Sequence, residues 1–298
     1  MGCLTTKDDF NYVTSKELPL TFPNGYNAFY CMKYEVTQGQ YVDFLNSLTR
    51  PQQENRCRVT TVGNYMSGTA GGHDTPQSRN TVQLVEDQDD LLPRVFATVT
   101  PDCACNWILW PDLAAFADWS GLRPMTELEF EKACRGPLKP VPNEYAWGTS
   151  VSTKISDLIG EDGSGSETYT TGNGHWSGNG GPSGPIRVGI FAVPDATREQ
   201  AGASYWGILE MSGNVWERAI SVGNATARKF TGLHGGGVLL ADGMSSVTDW
   251  PQSSGVGYRG GIWQYAASYA RLSSRLAATH LYSVVVSNSG GRAVRSAP

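Results

Sequence analysis

Several features that would assign a function at once are missing from this sequence. The chain has no apolar run near the ~18 residues of a membrane-spanning helix, and its N-terminus has no apolar signal-peptide core. Charged residues make up only 17% of the chain and the net charge is −5. Nothing therefore favours a nucleic-acid partner or an anionic membrane surface, and the sequence predicts no transmembrane segment.

Metal-binding patterns are missing as well. The six cysteines form no C-x-x-C pair, and Cys103-x-Cys105 is too tight for ordinary zinc spacing. We therefore expect buried free thiols and no required cofactor. No i, i+4 pair of the kind that helical metal sites use occurs among the four histidines, which are His73, His175, His234 and His280.

Glycine and aromatic residues are plentiful. The chain has 35 Gly, 13 Tyr and 9 Trp in 298 residues, which indicates a packed, loop-rich protein because aromatic side chains normally fill a core. There is no internal repeat and no convincing linker. The sequence therefore predicts a single domain covering residues 1–298.

Capping signals predict three helices. A Thr followed three residues later by Gln or Glu can exchange hydrogen bonds with the first helical turn, and Pro suits a first turn as Gly suits an end. The predicted helices run roughly over Gln38–Leu48, from Pro111 to Gly121, and from Thr126 to Arg135–Gly136.

The remaining stretches read as strands and loops. Alternation over Leu18–Tyr34 with a Pro-Asn-Gly turn predicts a β-hairpin. The polar stretch Thr49–Thr100 is predicted to be an elaborated surface excursion with short strands. The Gly-rich stretch Gly148–Pro185 neither follows a strand nor opens a helix, so we expect a long loop held by Tyr169 and Trp176 rather than a nucleotide site.

Six sequence blocks, in order, resemble the formylglycine-generating-enzyme (sulfatase-modifying factor) superfamily. They cover most of the chain, with two insertions. The blocks are Tyr34–Tyr41 (YEVTQGQY), Leu122–Ala133 (LRPMTELEFEKA), Tyr145–Gly148 (YAWG), Gly207–Glu217 (GILEMSGNVWE), Arg259–Trp263 (RGGIW) and Asn288–Arg292 (NSGGR).

This resemblance implies an α+β chain with a C-type-lectin fold of the formylglycine-generating-enzyme type, decorated by long loop insertions, in which both termini meet in one sheet. Catalytic members need two cysteines, five residues apart, whose thiolates bind copper and activate oxygen. The matching positions here are Tyr265 and Ala270, and no cysteine follows Cys134. A formylglycine-generating oxidase is therefore the disfavoured alternative, and we expect no enzyme activity.

The C-terminal segment, Arg259–Arg295, has a regular frame around irregular contents. It resembles variable proteins of diversity-generating retroelements, which share this fold and whose C-terminal segment is rewritten at template adenines. Asn codons changed in their first two letters cannot become Lys, Glu, Gln, Met or Trp. The runs Leu276–Val286 and Tyr265–Tyr269 contain only permitted residues, and Gln264 needs another codon.

On this interpretation Arg259–Arg295 is a variable region that binds a protein or cell-surface target, with Tyr265, Tyr269 and Tyr282 as energetic anchors. The predicted ligand-binding residues are Ile262, Gln264, Tyr265, Ala267, Tyr269, Leu276, His280, Leu281, Tyr282, Ser283, Val284, Val285 and Val286. The frame residues are Arg259, Gly260, Gly261, Trp263, Arg271, Ser274, Arg275, Gly290, Gly291 and Arg292.

An ordinary apolar strand in a fixed structural surface or virion protein is the competing interpretation of this segment. In the variable-protein interpretation several displayed copies would add avidity, although the sequence does not indicate the oligomeric state. Display at a virion or cell surface could use a lipid on Cys3, because the start Met1–Thr6 fits an acylation pattern that also arises by chance.

The resemblance also implies a structural Ca²⁺ site at the turn in Gly207–Glu217. Its ligands would be the side chains of Glu210 and Glu217 and the carbonyls of Gly213 and Val215, all of them hard oxygen donors. The competing interpretation is that Glu217 pairs with an arginine.

Overall fold

A computed structural model describes residues 8–9, 16–178, 180–279 and 286–298 of the chain. In this part of the chain four short α-helices and ten short strands are separated by long irregular connections. The helices are α1 (Gln38–Asn46), α2 (Arg50–Arg56), α3 (Trp110–Trp119) and α4 (Glu127–Arg135). None of the described helices has the length and apolar character needed to cross a membrane.

The capping signals placed three of these helices correctly. Thr37 accepts a hydrogen bond from the Gln40 N–H while the Gln40 side chain accepts from the Thr37 N–H, and the same reciprocal pair opens α4. Gly136 ends α4 at a φ of 65°, a conformation that glycine adopts without strain. The first helix ends at Asn46, two residues before its predicted end.

The strands form two three-stranded sheets and two hairpins. One sheet has the order β1-β10-β4, the other has the order β8-β7-β9, and β2 pairs with β3 as β5 pairs with β6. The strands are β1 (Phe29–Cys31), β2 (Gln83–Glu86), β3 (Val95–Ala97), β4 (Arg123–Pro124), β5 (Leu158–Ile159), β6 (Thr168–Tyr169), β7 (Trp216–Ile220), β8 (Val256–Arg259), β9 (Ser289–Gly290) and β10 (Ala293–Ser296).

The predicted hairpin at Leu18–Tyr34 is wrong. Only β1 forms there, and its partner is β10, with Phe29 opposite Ser296. The register brings the two ends of the fold into one sheet, as the resemblance implied. Local alternation could not show that the partner strand comes from the far end of the chain.

The stretch Thr49–Thr100 contains the predicted short strands, but it is not a surface excursion. It contains α2, at whose start the Gln52 side chain accepts a hydrogen bond from the Thr49 N–H, and the hairpin β2–β3. Leu84 and Phe96 on the two strands are buried in the same apolar cluster as the α1 residue Phe44. The segment therefore completes a core, which its polar composition concealed.

The long loop in Gly148–Pro185 is held as predicted. Trp176 is buried and stacks on Tyr145, with ring centroids 5.9 Å apart, and Tyr169 packs edge-on against Phe191. The loop also contains the small hairpin β5–β6. In the described part of the chain the cysteines are free thiols, all buried except the half-buried Cys31.

Candidate ligand-binding face

Both ends of the C-terminal segment are held by one strand. Strand β8 lies antiparallel to β7, and β9 lies parallel to β7 on its other side. Glu217 in β7 is the register partner of both Arg259 and Gly290. Residues 260–288 therefore leave one neighbour of β7 and return to the other, so that their base is fixed by backbone hydrogen bonds.

Two frame arginines converge on one buried carboxylate. Glu127, at the start of α4, accepts hydrogen bonds from Arg259 Nη1 at 2.9 Å and from Arg275 Nε and Nη2 at 2.8 Å each. Burial alone would raise the pKa of Glu127, but the hydrogen bonds from Arg275 and the charge of Arg259 outweigh it and lower the pKa. The ionised carboxylate thus ties two points of the segment to α4.

Arg259 also hydrogen-bonds to the middle of the C-terminal segment. Its Nη2 donates to the carbonyl of Leu272 at 2.7 Å and to Glu131 at 2.9 Å. Leu272 is itself buried. A single guanidinium therefore links the last residue of β8, helix α4 and the returning loop.

One glycine of the frame and one in β8 permit close backbone contact. Gly261 has a φ of +79°, and a Cβ there would lie 2.7 Å from the backbone nitrogen of Ala270. A Cβ on Gly257 in β8 would overlap the carbonyl oxygen of Ala278. Because these neighbours are backbone atoms, the loop can lie against its base only if the side chains are absent.

An aromatic pair stands on this base. The rings of Tyr265 and Tyr269 have centroids 5.1 Å apart, and each packs edge-on against Trp216 of β7 at 6.3 and 6.4 Å. Both tyrosines are half-buried, whereas Gln264 beside them is exposed. The Gln264 side chain also accepts a hydrogen bond from Asn288 Nδ2 at 3.4 Å, which connects the start of the loop to its end.

The structure separates the predicted ligand-binding residues into groups. Gln264 and Leu276 are exposed, and Tyr265, Ala267, Tyr269 and Val286 are half-buried. Ile262 is only 1% exposed and packs with Trp216 and Tyr258 beneath the tyrosines, so its side chain belongs to the support rather than to the contact surface. The predictions at His280, Leu281, Tyr282, Ser283, Val284 and Val285 lie outside the described residues.

Sequence reasoning missed three members of this region. Ala266 and Ser268 are exposed between the predicted positions, and Trp216 forms the floor of the pair. Strand alternation carried a signal for Trp216. Neighbouring side chains in a strand point to opposite faces, so Trp216 must face away from Arg292, which Glu217 contacts. We call Gln264–Tyr269 together with Leu276 the exposed face.

The predicted Ca²⁺ ligands do not fit together as a cation site. Both carboxylate oxygens of Glu217 are taken by Arg292, at 2.8 Å each. Glu210 accepts from the Gly189 N–H at 2.9 Å, and burial raises its pKa to about 7. The described residues contain no group of three or more His, Cys, Asp or Glu able to hold a metal.

Sequence comparison decides the family. Residues 7–297 match the sulfatase-modifying factor enzyme 1-like domain. The chain belongs to the sulfatase-modifying factor family. No curated protein matches it in sequence.

Two solved structures are similar to this chain over most of its length. PvdO from Pseudomonas aeruginosa is 18% identical, with 90% of this chain and 80% of that chain covered and a TM-score of 0.44. Treponema denticola variable protein 1 is 14% identical, with 90% and 84% covered and a TM-score of 0.43. At such identities the likeness concerns the fold alone. The mixed architecture of few helices and small sheets agrees with the lectin-type fold of the sulfatase-modifying factor family.

Within this family fold, the two positions matching the catalytic cysteines differ in setting. Tyr265 stands in the exposed face, and Ala270 is buried against Gly261. The nearest cysteine in sequence, Cys134, is buried in α4, and burial raises the pKa of its thiol well above the ordinary value. A site that should present two thiolates presents an aromatic ring and a methyl group.

Proposed function

We propose that this sulfatase-modifying-factor relative is a non-catalytic binding protein whose exposed face contacts a protein or cell-surface target. The observation that carries the proposal is the replacement of the catalytic thiol positions by Tyr265 and Ala270, in a loop whose base is rigid and whose tyrosines are accessible. Tyrosine rings supply a large contact area at a low entropic cost, which makes them frequent binding anchors.

The way in which the loop after β8 is held indicates that its exposed positions tolerate substitution. Buried ion pairs and close backbone contacts fix its path, whereas the side chains of Gln264, Ala266, Ser268 and Leu276 in the exposed face are exposed to solvent. Substitutions at such positions alter the surface without removing core contacts. This arrangement suits a segment that a retroelement diversifies, and we propose that origin for its contents.

Sequencing the DNA that flanks the gene tests the diversification. We expect a reverse-transcriptase gene and a near-copy of the codons for Ile262–Asn288 that differs only at adenines. Invariant codons in related isolates, with no such copy, would favour a fixed structural surface protein instead.

Binding itself is tested without knowing the target. A displayed library with random residues at Gln264, Ala266, Ser268 and Leu276 is selected against an unrelated folded protein such as hen lysozyme, with the frame unchanged. We expect binders that lose most of their affinity when Tyr265 and Tyr269 become Ala, because two aromatic anchors are removed. Failure to obtain any binder from a library whose members remain folded would contradict the proposal.

We further propose display at a virion or cell surface through a lipid on Cys3, which lies outside the described residues. Metabolic labelling of the full chain with an alkyne-bearing fatty acid tests this. We expect label on the wild type and none on Cys3→Ser, while equal labelling of both would exclude the anchor.

A further inference from the structure

Strand β1 has one open edge. Ala28 accepts from the Ala297 N–H and Met32 donates to the Ala293 carbonyl, and β1 runs antiparallel to β10. Residue pairs of an antiparallel ladder alternate between bonded and non-bonded, so Tyr30 exchanges its bonds with Arg295. The N–H and C=O groups of Phe29 and Cys31 must therefore point away from β10.

In the part of the chain that the structure describes, backbone pairing on this edge of β1 occurs only beyond its C-terminal end. Leu209 donates its N–H to the carbonyl of Lys33 at 2.9 Å, and Lys33 is the next residue of the same parity. No backbone partner for Phe29 or Cys31 on that side occurs among the described residues. An unpaired strand edge of this kind is a template for another extended chain.

A groove of about 500 Å³ runs beside the open edge. Its walls are β1 with the preceding residues on one side and Lys132, Ala133, Trp206 and Ile208 on the other. The volume lies within the range of roughly 300–1,000 Å³ that ligand pockets have. None of the lining residues belongs to Arg259–Arg295.

Large aromatic side chains are exposed at this groove. Tyr26 is 90% exposed, Tyr30 64% and Trp206 59%, although such side chains usually pack in a core or an interface. Lys132 adds a half-buried cation at the wall, and none of the carboxylates in the described residues forms an ion pair with it. An occupant that matches the groove is thus extended, partly apolar and negatively charged.

We propose that this groove is a second binding site, in which an extended segment of a partner protein pairs with the open edge of β1. The segment hydrogen-bonds to the backbone of Phe29 and Cys31, places an apolar side chain between β1 and Trp206, and sets an Asp or Glu beside Lys132. A second copy of this chain fits less well, because pairing β1 with its own symmetry mate supplies no carboxylate from β1 for Lys132. This proposal stands independently of the exposed face.

A displayed library of random heptapeptides, selected on the full-length protein, tests the site. We expect enriched peptides that combine alternating apolar residues with an Asp or Glu. On Lys132→Glu we expect the acidic preference to change to Lys or Arg. Enriched peptides with the same charge on both proteins would overturn the assignment of Lys132.

The substitution Cys31→Pro tests the backbone pairing. It removes an N–H that points outward and leaves the bonds to β10 intact, which is the position where an edge strand accepts proline. We expect binding of the best peptide to weaken by about twofold to tenfold, as loss of a ladder hydrogen bond would cause, with the thermal midpoint near that of the wild type.

Tyr30→Pro is the matched control, because it removes an N–H that bonds to Arg295 and should lower the thermal midpoint. If Cys31→Pro also fails to fold, the Lys132→Glu selection still decides. Unchanged peptide affinity in folded Cys31→Pro would overturn the proposal. The proposal would also be overturned if no peptide were enriched and the protein formed a concentration-dependent dimer in sedimentation that Cys31→Pro abolishes. The occupant would then be a second copy of this chain.

Discussion

Arg292 holds Glu217 through two parallel hydrogen bonds of 2.8 Å each, and neither side chain is exposed to solvent. Arg292 reaches further, donating to the carbonyls of Met32, Lys33 and Leu209. Burial opposes its charge, but the pairing with Glu217 raises the pKa of Arg292 above its usual range. One ion pair thus joins β7, the closing end of the C-terminal segment and the residues that follow β1.

Removing one partner of this pair should be costly. We expect Arg292→Met to lower the free energy of unfolding by about 3–5 kcal/mol, because Glu217 is left as a buried carboxylate without its counter-ion. Urea denaturation measures the change. Asp90→Asn, at a side chain 98% exposed, is the control and should leave the midpoint unchanged, whereas a loss below about 1 kcal/mol for Arg292→Met would contradict the role given to the pair.

Two apolar residues of the C-terminal segment should differ in their response to the same truncation. Ile262 is 1% exposed and Leu276 is 47% exposed. We expect Ile262→Ala to cost about 2–5 kcal/mol of unfolding free energy and Leu276→Ala to stay within about 0.5 kcal/mol. Equal costs in urea denaturation would show that Leu276 belongs to the support and that the exposed face is smaller than we describe.

Two glycines offer a matched test of close backbone packing. Gly257→Ala would place a Cβ on the carbonyl oxygen of Ala278, whereas a Cβ on Gly236 meets no atom within 4 Å. We expect the first substitution to destabilise by about 1–3 kcal/mol, as overpacking does. Gly236→Ala should be near neutral. Thermal denaturation of both variants measures the difference, and equal midpoints would show that the loop shifts to make room for the added Cβ at Gly257.

Asp112 should give stability a pH dependence. Burial raises its pKa from 3.8 to about 6 despite the nearby Arg56. Between about pH 4 and about pH 6 the folded state therefore keeps a proton that the unfolded state has lost. Stability should fall as pH rises through this window, by at most about 1.4 kcal/mol per pH unit from this group.

The variant Asp112→Asn isolates that contribution, because it cannot titrate but keeps an oxygen for the Leu109 N–H. We expect lower stability overall, since Arg56 loses its ion pair, and a smaller change in stability between pH 4 and pH 6. Urea midpoints at several pH values measure both effects. A slope equal to that of the wild type would assign the pH dependence to another group.

Calcium binding is settled by calorimetry on metal-stripped protein. Because Arg292 occupies both oxygens of Glu217, we expect no saturable heat at the turn that contains Glu210 and Glu217. A saturable heat that disappears in Glu210→Gln would restore the ligand set that the family resemblance implies.

The sequence predicted those parts of the structure that depend on neighbouring residues. Thr37 and Gln40 lie three residues apart, so their capping box could be read directly, as could Gly136 at the end of α4. The family blocks likewise predicted that Arg259 and Arg292 form a frame. The sequence alone also shows that the positions of Tyr265 and Ala270 carry no thiol.

Only the tertiary structure decided which side chains of the C-terminal segment are accessible and which strand pairs with β1. Both Ile262 and Leu276 were predicted to bind the ligand, but only Ile262 packs with Trp216 and Tyr258. The pairing of β1 with β10 joins residues more than 260 positions apart. Long-range pairings of this kind leave no local pattern, since their energy comes from partners that only the folded chain brings together.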